Sequence, residues 1–443
     1  MKHSSSRRQA RFLSTLIIFG LVGQIAWVVE NMYFNVFIYK MFHATPADIS
    51  AMVMASAVAA TVTTLLMGAL SDKLGRRRVM IAGGYILWGL SILSFAFIRE
   101  DTIGGLLPTG TAAATVSAVC VTLVIIMDCV MTFFGSTAND ACFNAWLTDS
   151  TTHENRGAAE GINAMMPLVA ILAVFGGFMG FDLNRSESWT WIFILIGVAV
   201  TLIGVVGFFL IEEPRKVAEG TDRYFANILY GFRPSVMRQN PYLYLLLVAF
   251  ALFGISIQIF MPYLILYYTE GLHMEGYVLI MAPAIILASA FTVLWGRVHD
   301  RVGFRVSILP ALGLLCVGYI LLYFFRGTAL VFVGSLLMMC GYLAGSAVFG
   351  AVIRDHTPEG RAGMFQGLRI VGQVLIPGVV GPALGAWVLR NAETVVGDDG
   401  TESFIPNQDI FLAALIAAVV LGLFLALLLR IMKRQNSKNH TNA

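Results

Sequence analysis

The chain has 443 residues, of which 58% are hydrophobic and 12% are charged, and its net charge is +3. A soluble domain carries about 25% charged residues, so the composition excludes an ordinary water-soluble protein and favours a chain solvated mainly by lipid. The basic residues are scattered among short polar segments, which argues against a nucleic-acid partner.

Twelve apolar stretches of about 20 residues, each long enough to cross a bilayer as a helix, follow one another along the chain. The fourth has an apolar centre at 116–134 and a more polar continuation to Thr148. The sequence therefore predicts an all-α membrane protein with twelve transmembrane helices. They lie at 12–39, 49–70, 79–98, 117–147, 161–181, 189–211, 241–268, 277–295, 304–325, 329–353, 363–389 and 410–431.

The basic residues are distributed unequally between the two sets of loops. An even number of spans puts both termini on one side, and 24 of the 29 Lys and Arg residues fall on that side. Because Lys and Arg are enriched in cytoplasmic loops, we expect both termini in the cytoplasm and the protein in the cell membrane.

The longest segment on the predicted cytoplasmic side separates the sixth and seventh spans. It is charged, it contains Pro214 and Pro234, and its part from Arg223 to Phe232 could form a short amphipathic helix. We interpret it as a linker between two six-helix halves. The predicted organisation is an N-terminal half at 1–211, a linker at 212–240 and a C-terminal half at 241–443.

Two loop motifs recur in register in the two halves, which indicates an internal repeat. The pattern G-x-x-x-D-x-x-G, followed by Arg, stands after the second span and again after the eighth. An Asp followed by a nearby Arg stands after the fourth span and after the tenth. Glycine permits a tight turn at a helix end, and Asp–Arg pairs can hold helix ends together. We predict a cytoplasmic latch formed by Gly68, Asp72, Gly75, Arg76, Asp149, Arg156, Asp300, Arg301, Asp355 and Arg361.

Acidic residues inside the spans are confined to the N-terminal half. Glu30 lies in the first span, and Asp128 and Asp140 lie in the fourth. A charged group in a span costs at least about 2.5 kcal/mol, so it is a candidate functional group. From the helical rise of about 1.5 Å per residue, we expect Glu30 and Asp128 at a common level and Asp140 nearer the cytoplasm. We predict that these three residues couple transport to a cation.

Amide, aromatic and basic side chains near the acids could contact a polar substrate. Several of them recur at three- and four-residue spacing in the first span, so they share a face. Aromatic planes suit the apolar faces of a sugar, and amides suit its hydroxyl groups. The predicted substrate-binding residues are Trp27, Asn31, Asn35, Asn144, Gln258, Arg369 and Gln373.

The loop from Gly68 to Arg78, the 6+6 repeat and the central linker resemble the major facilitator superfamily of transporters. The segment from Asn139 to Arg156 resembles the glycoside–pentoside–hexuronide cation symporters, the melibiose permease group, and sucrose transporters of the same clan are a comparable match. The resemblance implies alternating access around a midplane substrate site, with Glu30 and Asp140 as cation ligands. The second span lacks the acids of that group, so H⁺ and Na⁺ both remain open as coupling ions.

We therefore expect cation-coupled symport of a sugar or glycoside by a monomer in the bilayer, with no cofactor besides the coupling ion. The alternatives are a proton-coupled drug or small-molecule antiporter and a lipid transporter. His43 and Asp48 match the H-x₄-D pattern of some acyltransferases, but the chain has no second motif to accompany it. We do not expect an enzyme.

Overall fold

The computed structural model describes residues 2–151, 156–213, 230–274, 276–358, 362–396 and 401–441. Within this part of the chain, twelve helices are long and apolar enough to cross a membrane, which confirms the predicted number. We number them span 1 to span 12. They are Gln9–Phe42, Pro46–Gly68, Arg77–Phe97, Ala113–Ser150, Gly161–Phe178, Ser186–Leu210, Pro241–Gly271, Tyr277–Val302, Phe304–Phe324, Thr328–Asp355, Gly367–Leu389 and Asp409–Arg430.

Spans 1 and 4 are longer than the other N-terminal spans, and each contains a π-helical segment. These segments are Val29–Tyr33 in span 1 and Ser136–Phe143 in span 4. Two more π-helical segments, Tyr267–Gly271 and Val371–Leu375, lie in spans 7 and 11. A π-helical turn inserts an extra residue and changes the direction in which side chains leave the helix, and such turns are frequent at functional sites.

The helix pairs of the N-terminal half recur in the C-terminal half. Span 1 packs on span 5, span 2 on span 4 and span 3 on span 6, and in the same way span 7 packs on span 11, span 8 on span 10 and span 9 on span 12. The repeat predicted from two loop motifs is therefore also a repeat of helix packing.

Small residues allow close approach of the paired helices. A Cβ atom at Gly89 of span 3 would lie 2.6 Å from the carbonyl oxygen of Gly197 in span 6. A Cβ at Gly381 of span 11 would lie 2.8 Å from the backbone carbon of Gln258 in span 7. Glycine at such positions lets backbones pack directly, as is common between membrane helices.

The chain divides into two compact units, one of Met1–Phe225 with Thr394–Phe404 and the other of Ala226–Glu393 with Ile405–Ala443. Thr394–Phe404, which belongs to the first unit although it lies late in the chain, contains an antiparallel hairpin. Its strands are β1 (Thr394–Val396) and β2 (Glu402–Phe404). The Tyr39 hydroxyl at the end of span 1 donates to the Phe404 carbonyl at 2.6 Å. The strands are an addition to the predicted all-α fold, and their β-branched Thr and Val residues favour extended structure.

The segment between His43 and Asp48 is a helix boundary. His43 has a left-handed conformation (φ 51°) at the end of span 1. Thr45 caps the next helix, because its hydroxyl accepts from the Asp48 amide and the Asp48 carboxylate accepts from the Thr45 amide. This is a capping box, so the spacing from His43 to Asp48 has a structural explanation.

Most of the predicted linker, residues 214–229, lies outside the described residues, and with it most of the proposed amphipathic segment. The described end of the linker has a 3₁₀ turn, Tyr230–Phe232, and a short helix, Pro234–Gln239. A further short helix, Glu100–Leu106, connects spans 3 and 4.

Candidate functional site

Glu30 is buried at the meeting point of spans 1, 2 and 4, with only 6% of its surface exposed. Its Oε1 atom accepts hydrogen bonds from Ser56 Oγ at 2.6 Å and from Thr132 Oγ1 at 2.9 Å. The two hydroxyls are 2.9 Å from each other. Among the described residues, Oε2 has no hydrogen-bond partner. One carboxyl oxygen is thus fixed by two hydroxyls, and the other is available for an ion or a proton.

Asp128 lies one helical turn from Thr132 on the same face of span 4, because residues four apart in an α-helix are neighbours. It is 1% exposed, and its Oδ1 atom has no hydrogen-bond partner in the described part of the chain. Its charge interacts with that of Glu30. The structure therefore brings Glu30 and Asp128 to a common level of the N-terminal unit.

Asp140 lies further along span 4, within its π-helical segment. Ser136 Oγ donates to Asp140 Oδ2 at 3.0 Å. The Trp27 indole Nε1 donates to Oδ1 of the neighbouring Asn139 at 3.4 Å. The charges of Asp140 and Glu30 are close enough to interact. All three acids therefore belong to one electrostatically connected group, which we call the carboxyl cluster.

Aromatic side chains enclose the Asp140 end of the carboxyl cluster. The rings of Trp27 and Trp88 are 4.9 Å apart. A Cβ at Gly135 would lie 2.9 Å from Trp27 and 2.7 Å from Trp88, so glycine leaves room for this pair. The Tyr85 hydroxyl donates to the Phe19 carbonyl and accepts from Asn139 Nδ2, each at 2.7 Å. These contacts fix the ring and amide positions around Asp140.

The three predicted amides of spans 1 and 4 donate to their own helices. Asn31 Nδ2 donates to the Trp27 carbonyl at 2.8 Å, and Asn35 donates to the Asn31 carbonyl at 3.2 Å. Asn144 donates to the Asp140 carbonyl at 3.0 Å. Asn31 and Asn144 are exposed, whereas Asn35 is 1% exposed. One N–H of each amide is thus engaged within its own helix, which leaves the second N–H and the carbonyl oxygen for other partners.

The predicted substrate residues of the C-terminal unit lie on spans 7 and 11. Gln258 is half-buried beside Gly381, and Gln373 is half-buried within the π-helical segment of span 11. Arg369 is also half-buried, and the charge of Arg354 acts on it. Three of the four π-helical segments of the described chain thus contain predicted site residues.

The latch loop of the N-terminal half contains a buried ion pair. Arg77, which is 3% exposed, places Nη2 3.1 Å from Asp149 Oδ2, and its Nη1 donates to Ser71 Oγ at 2.5 Å. Arg77 thereby joins the ends of spans 2, 3 and 4. The sequence pointed to Arg76 of the same arginine run, but Arg76 is exposed. Gly75 is left-handed (φ 64°) at the helix end, as its place in the motif predicts.

The other latch residues form a less connected set. Gly303 repeats the positive φ of Gly75 at 76°, but Asp300, Arg301 and Asp355 are all exposed. Gly68 is half-buried at the end of span 2. The side chains of Asp72 and Arg156, and all of Arg361, lie outside the described residues.

Two hydroxyl residues that donate to Glu30 of the carboxyl cluster, Ser56 and Thr132, were not predicted from the sequence. Ser56 had no charge to mark it in an apolar span. Thr132 could have been found from spacing, because Asp128, Thr132, Ser136 and Asp140 stand four residues apart along span 4. Among the described residues, no group of three or more His, Cys, Asp or Glu side chains is placed to hold a metal ion.

The sequence matches the family described as Major Facilitator Superfamily over residues 12–382 and 290–443. It is 24% identical over 203 residues to "Sugar efflux transporter B" of Salmonella typhimurium, and the match spans 46% of each chain. The chain therefore spans about half the length of that curated relative.

The fold is similar to those of solved transporters. A variant of the nucleoside transporter NupG superposes with a TM-score of 0.70 at 13% identity, covering 93% of this chain and 98% of that one. A D-xylose-proton symporter gives a TM-score of 0.67 at 14% identity, covering 92% and 97%. A bacterial homologue of the lysosomal transporter Spinster gives 0.68 at 16%, covering 96% and 97%.

Proposed function

Since the chain belongs to the major facilitator superfamily and is a transporter rather than an enzyme, we propose that it couples inward movement of a cation to uptake of a sugar or glycoside. Transporters with this fold expose a central site alternately to the two sides of the membrane. On this proposal the carboxyl cluster binds H⁺ or Na⁺, and substrate binds when the cluster is occupied.

The observation that carries the proposal is the presence of three carboxyl groups inside spans 1 and 4 of the N-terminal unit, of which Glu30 and Asp128 are buried and Asp140 is half-buried. A buried carboxylate oxygen without a donor is costly, and an idle acid in a span is rare. A bound cation neutralises that charge. The free energy of enclosing the site in a low-dielectric environment is therefore lower when the cluster holds a cation than when it is empty. This difference in free energy can couple ion binding to the conformational cycle.

Sugar as the substrate class is supported by the residues around the carboxyl cluster and by the named relatives. Trp27, the Asn31 carbonyl oxygen and Asn144 provide an aromatic face and polar groups of the kind that sugars contact. The curated relative is named as a sugar transporter, and one structural neighbour as a D-xylose symporter. The resemblance of the segment from Asn139 to Arg156 favours the glycoside–pentoside–hexuronide branch.

A second candidate is proton-coupled export of a sugar or another small molecule. It is favoured by the word "efflux" in the name of the curated relative. The carboxyl cluster is equally compatible with an exporter. If a proton and a substrate compete for the same site, each crosses the membrane in place of the other, and the result is exchange instead of cotransport.

The test is transport by the purified chain in proteoliposomes under an imposed pH or Na⁺ gradient. Labelled D-xylose, melibiose, sucrose and uridine serve as probes, and internal pH is recorded simultaneously. The matched control is Asp101→Asn, which neutralises an exposed acid outside the spans.

Accumulation of a sugar driven by an inward H⁺ or Na⁺ gradient, lost in Glu30→Gln and kept in Asp101→Asn, is the expected result. Loss of preloaded sugar driven by an inward proton gradient would select the exporter. Sugar transport that no gradient alters would contradict cation coupling in either direction.

A further inference from the structure

The connection between spans 11 and 12 is longer than its counterpart in the N-terminal half. Residues 390–408 join spans 11 and 12, whereas residues 179–185 join spans 5 and 6. The longer connection contains the hairpin of β1 and β2. An isolated two-stranded hairpin is at best marginally stable in water, so this hairpin depends on the surface against which it packs.

That surface is the end of span 1. The Tyr39 hydroxyl donates to the Phe404 carbonyl at 2.6 Å, and the two buried rings meet edge to face with centroids 5.2 Å apart. His43 Nδ1 lies 2.8 Å from Ser403 Oγ, and His43 Nε2 lies 3.3 Å from Thr401 Oγ1. A ring contact and hydrogen bonds from two residues of span 1 and its end therefore hold β2 on the first unit.

The backbone of His43 indicates that its side chain is needed at this place. His43 ends span 1 in the left-handed conformation, with φ 51°, where glycine is the usual residue and a side chain is uncommon. His273 has the same conformation, with φ 52°, after span 7, the counterpart of span 1, but His273 is exposed. The hydrogen bonds to the hairpin explain why position 43 has a histidine although glycine would be less strained.

The base of the hairpin is held within the second unit. The Ile405 N–H donates to the Glu393 carbonyl at 2.7 Å, which joins the two ends of the hairpin. The next residue packs on Gly271 at the end of span 7, because a Cβ there would overlap the Pro406 carbonyl oxygen. All four residues belong to the second unit.

A single peptide group lies between these two anchors. The Phe404 carbonyl, which accepts from Tyr39, and the Ile405 N–H, which donates to Glu393, belong to the same peptide bond. A peptide bond is planar and rigid, so no free length of chain separates the anchor on span 1 from the anchor in the second unit. A displacement of one anchor relative to the other must therefore break a hydrogen bond here.

We propose that the hairpin is a strap that fastens the second unit to the end of span 1 in one state of the transport cycle and leaves span 1 in the other. Transporters with this fold move one half against the other, and a connection without slack does not stay fastened in both states. In the predicted orientation this end of span 1 is on the outer side, so release of the strap accompanies opening to the outside. The inference goes beyond the proposed function, because it holds for uptake or export of any substrate and for any coupling ion.

The first experiment locks the strap with a short, reducible bifunctional thiol reagent. In the double variant His43→Cys with Ser403→Cys, the reagent joins the hairpin to the end of span 1. In Val395→Cys with Ser403→Cys it joins only β1 to β2, because Val395 and Ser403 are cross-strand partners. This second pair is the matched control. The chain's own five cysteines lie within the spans and are common to both variants.

We expect the crosslink between positions 43 and 403 to lower the transport rate about tenfold or more, because it blocks a conformational step, and reduction to restore the rate. The crosslink between positions 395 and 403 should leave the rate unchanged. The probe is whichever of labelled D-xylose, melibiose, sucrose and uridine the wild type transports. An unchanged rate with the first crosslink complete by mass spectrometry would overturn the release of the strap, while leaving the proposed symport intact.

The second experiment needs no transported substrate. Amide hydrogen exchange of residues 394–396 and 401–405 reports how often the hairpin leaves span 1, because the released hairpin is not stable on its own. His43→Gly removes the hydrogen bonds to the hairpin and suits the left-handed backbone, so it preserves the end of span 1. His273→Gly is the matched control, because it makes the same backbone change after span 7.

The loss of one hydrogen bond shifts an equilibrium by about fivefold. We therefore expect exchange in the hairpin to be about fivefold faster in His43→Gly and to keep the wild-type rate in His273→Gly. Equal exchange in His43→Gly and the wild type would overturn the strap, whether or not any sugar of the panel is transported.

Discussion

In the N-terminal half, spans 1, 2 and 4 meet at the charged side chain of Glu30, whereas the corresponding helices of the C-terminal half meet at neutral groups. There, Tyr268 of span 7 lies 2.5 Å from Ser335 of span 10. Between spans 7 and 9, the counterparts of spans 1 and 3, Ser256 Oγ lies 3.1 Å from the Tyr319 hydroxyl. The helix pairs are the same in the two halves. One packing scheme thus holds a carboxyl cluster in one half and neutral hydroxyl pairs in the other.

This difference indicates that the two halves have different roles in transport. A carboxyl can change its charge when it binds a cation, but a hydroxyl pair cannot. We therefore expect the N-terminal half to sense the ion and the C-terminal half to contribute mainly to substrate binding and to the scaffold. Four sets of variants test this difference between the halves.

The largest effect is expected from neutral replacements in the carboxyl cluster. Glu30→Gln and Asp140→Asn should abolish gradient-driven accumulation, because a neutral amide neither takes up a proton nor carries a negative charge that attracts a cation. Gln258→Ala in the C-terminal half should instead raise the substrate concentration needed for half-maximal transport and leave coupling intact. Initial rates and accumulation ratios in proteoliposomes distinguish the two classes. Loss of coupling in Gln258→Ala would contradict the assignment of ion coupling to the N-terminal half.

The next largest effect concerns the latch loops. Arg77→Ala should lower the free energy of unfolding by about 3 kcal/mol, because it leaves Asp149 as a charge without its ion-pair partner. Arg301→Ala in the second latch loop removes an exposed charge and should change stability by no more than about 0.5 kcal/mol. SDS titration in mixed micelles measures both. Equal losses would show that the two latch loops are equally connected.

A smaller effect is expected where glycine brings helices together in both halves. Gly89→Ala should destabilise the contact between spans 3 and 6 by about 1–3 kcal/mol, because the added methyl group overlaps backbone atoms. Gly341→Ala between spans 9 and 10 should cost a similar amount, since its Cβ would lie 2.7 Å from Leu315 Cα. Thermal unfolding of both variants tests whether close glycine contacts contribute similarly to the stability of the two halves.

The smallest effect concerns the hairpin, which has no counterpart in the repeat. Tyr39→Phe removes the buried hydrogen bond to the Phe404 carbonyl and should cost about 1 kcal/mol. The ring contact with Phe404, with centroids 5.2 Å apart, is kept. Phe404→Ala removes that contact as well and should cost more. Limited proteolysis under native conditions measures the difference, because the hairpin should be cleaved faster in Phe404→Ala than in Tyr39→Phe.

The fold followed from the sequence because hydrophobic length and charge are strong signals in a membrane protein. The number of spans and the helix end at Gly75 were predicted and are confirmed. The hairpin was not predicted, since Thr394–Val396 is short and lies between two spans. Its position depends on contacts with Tyr39 and His43, which are far away in the sequence.

The site was only partly predictable for a related physical reason. Glu30, Asp128 and Asp140 were identifiable because charge in a span is costly, and the structure brings them into one cluster. Ser56 and Thr132 were missed because a hydroxyl in a span satisfies itself on its own helix at little cost. The choice of Arg77 over Arg76 depends on which residue of the run faces Asp149, and this is decided by the turn at Gly75.

The most direct test of the central claim is simultaneous recording of proton and sugar movement through the wild type and Glu30→Gln, with Asp101→Asn as the control. We expect a transported sugar to move protons in the wild type and in Asp101→Asn. In Glu30→Gln, sugar should equilibrate without proton movement. Proton movement at the wild-type ratio to sugar in Glu30→Gln would contradict the assignment of the carboxyl cluster as the coupling site.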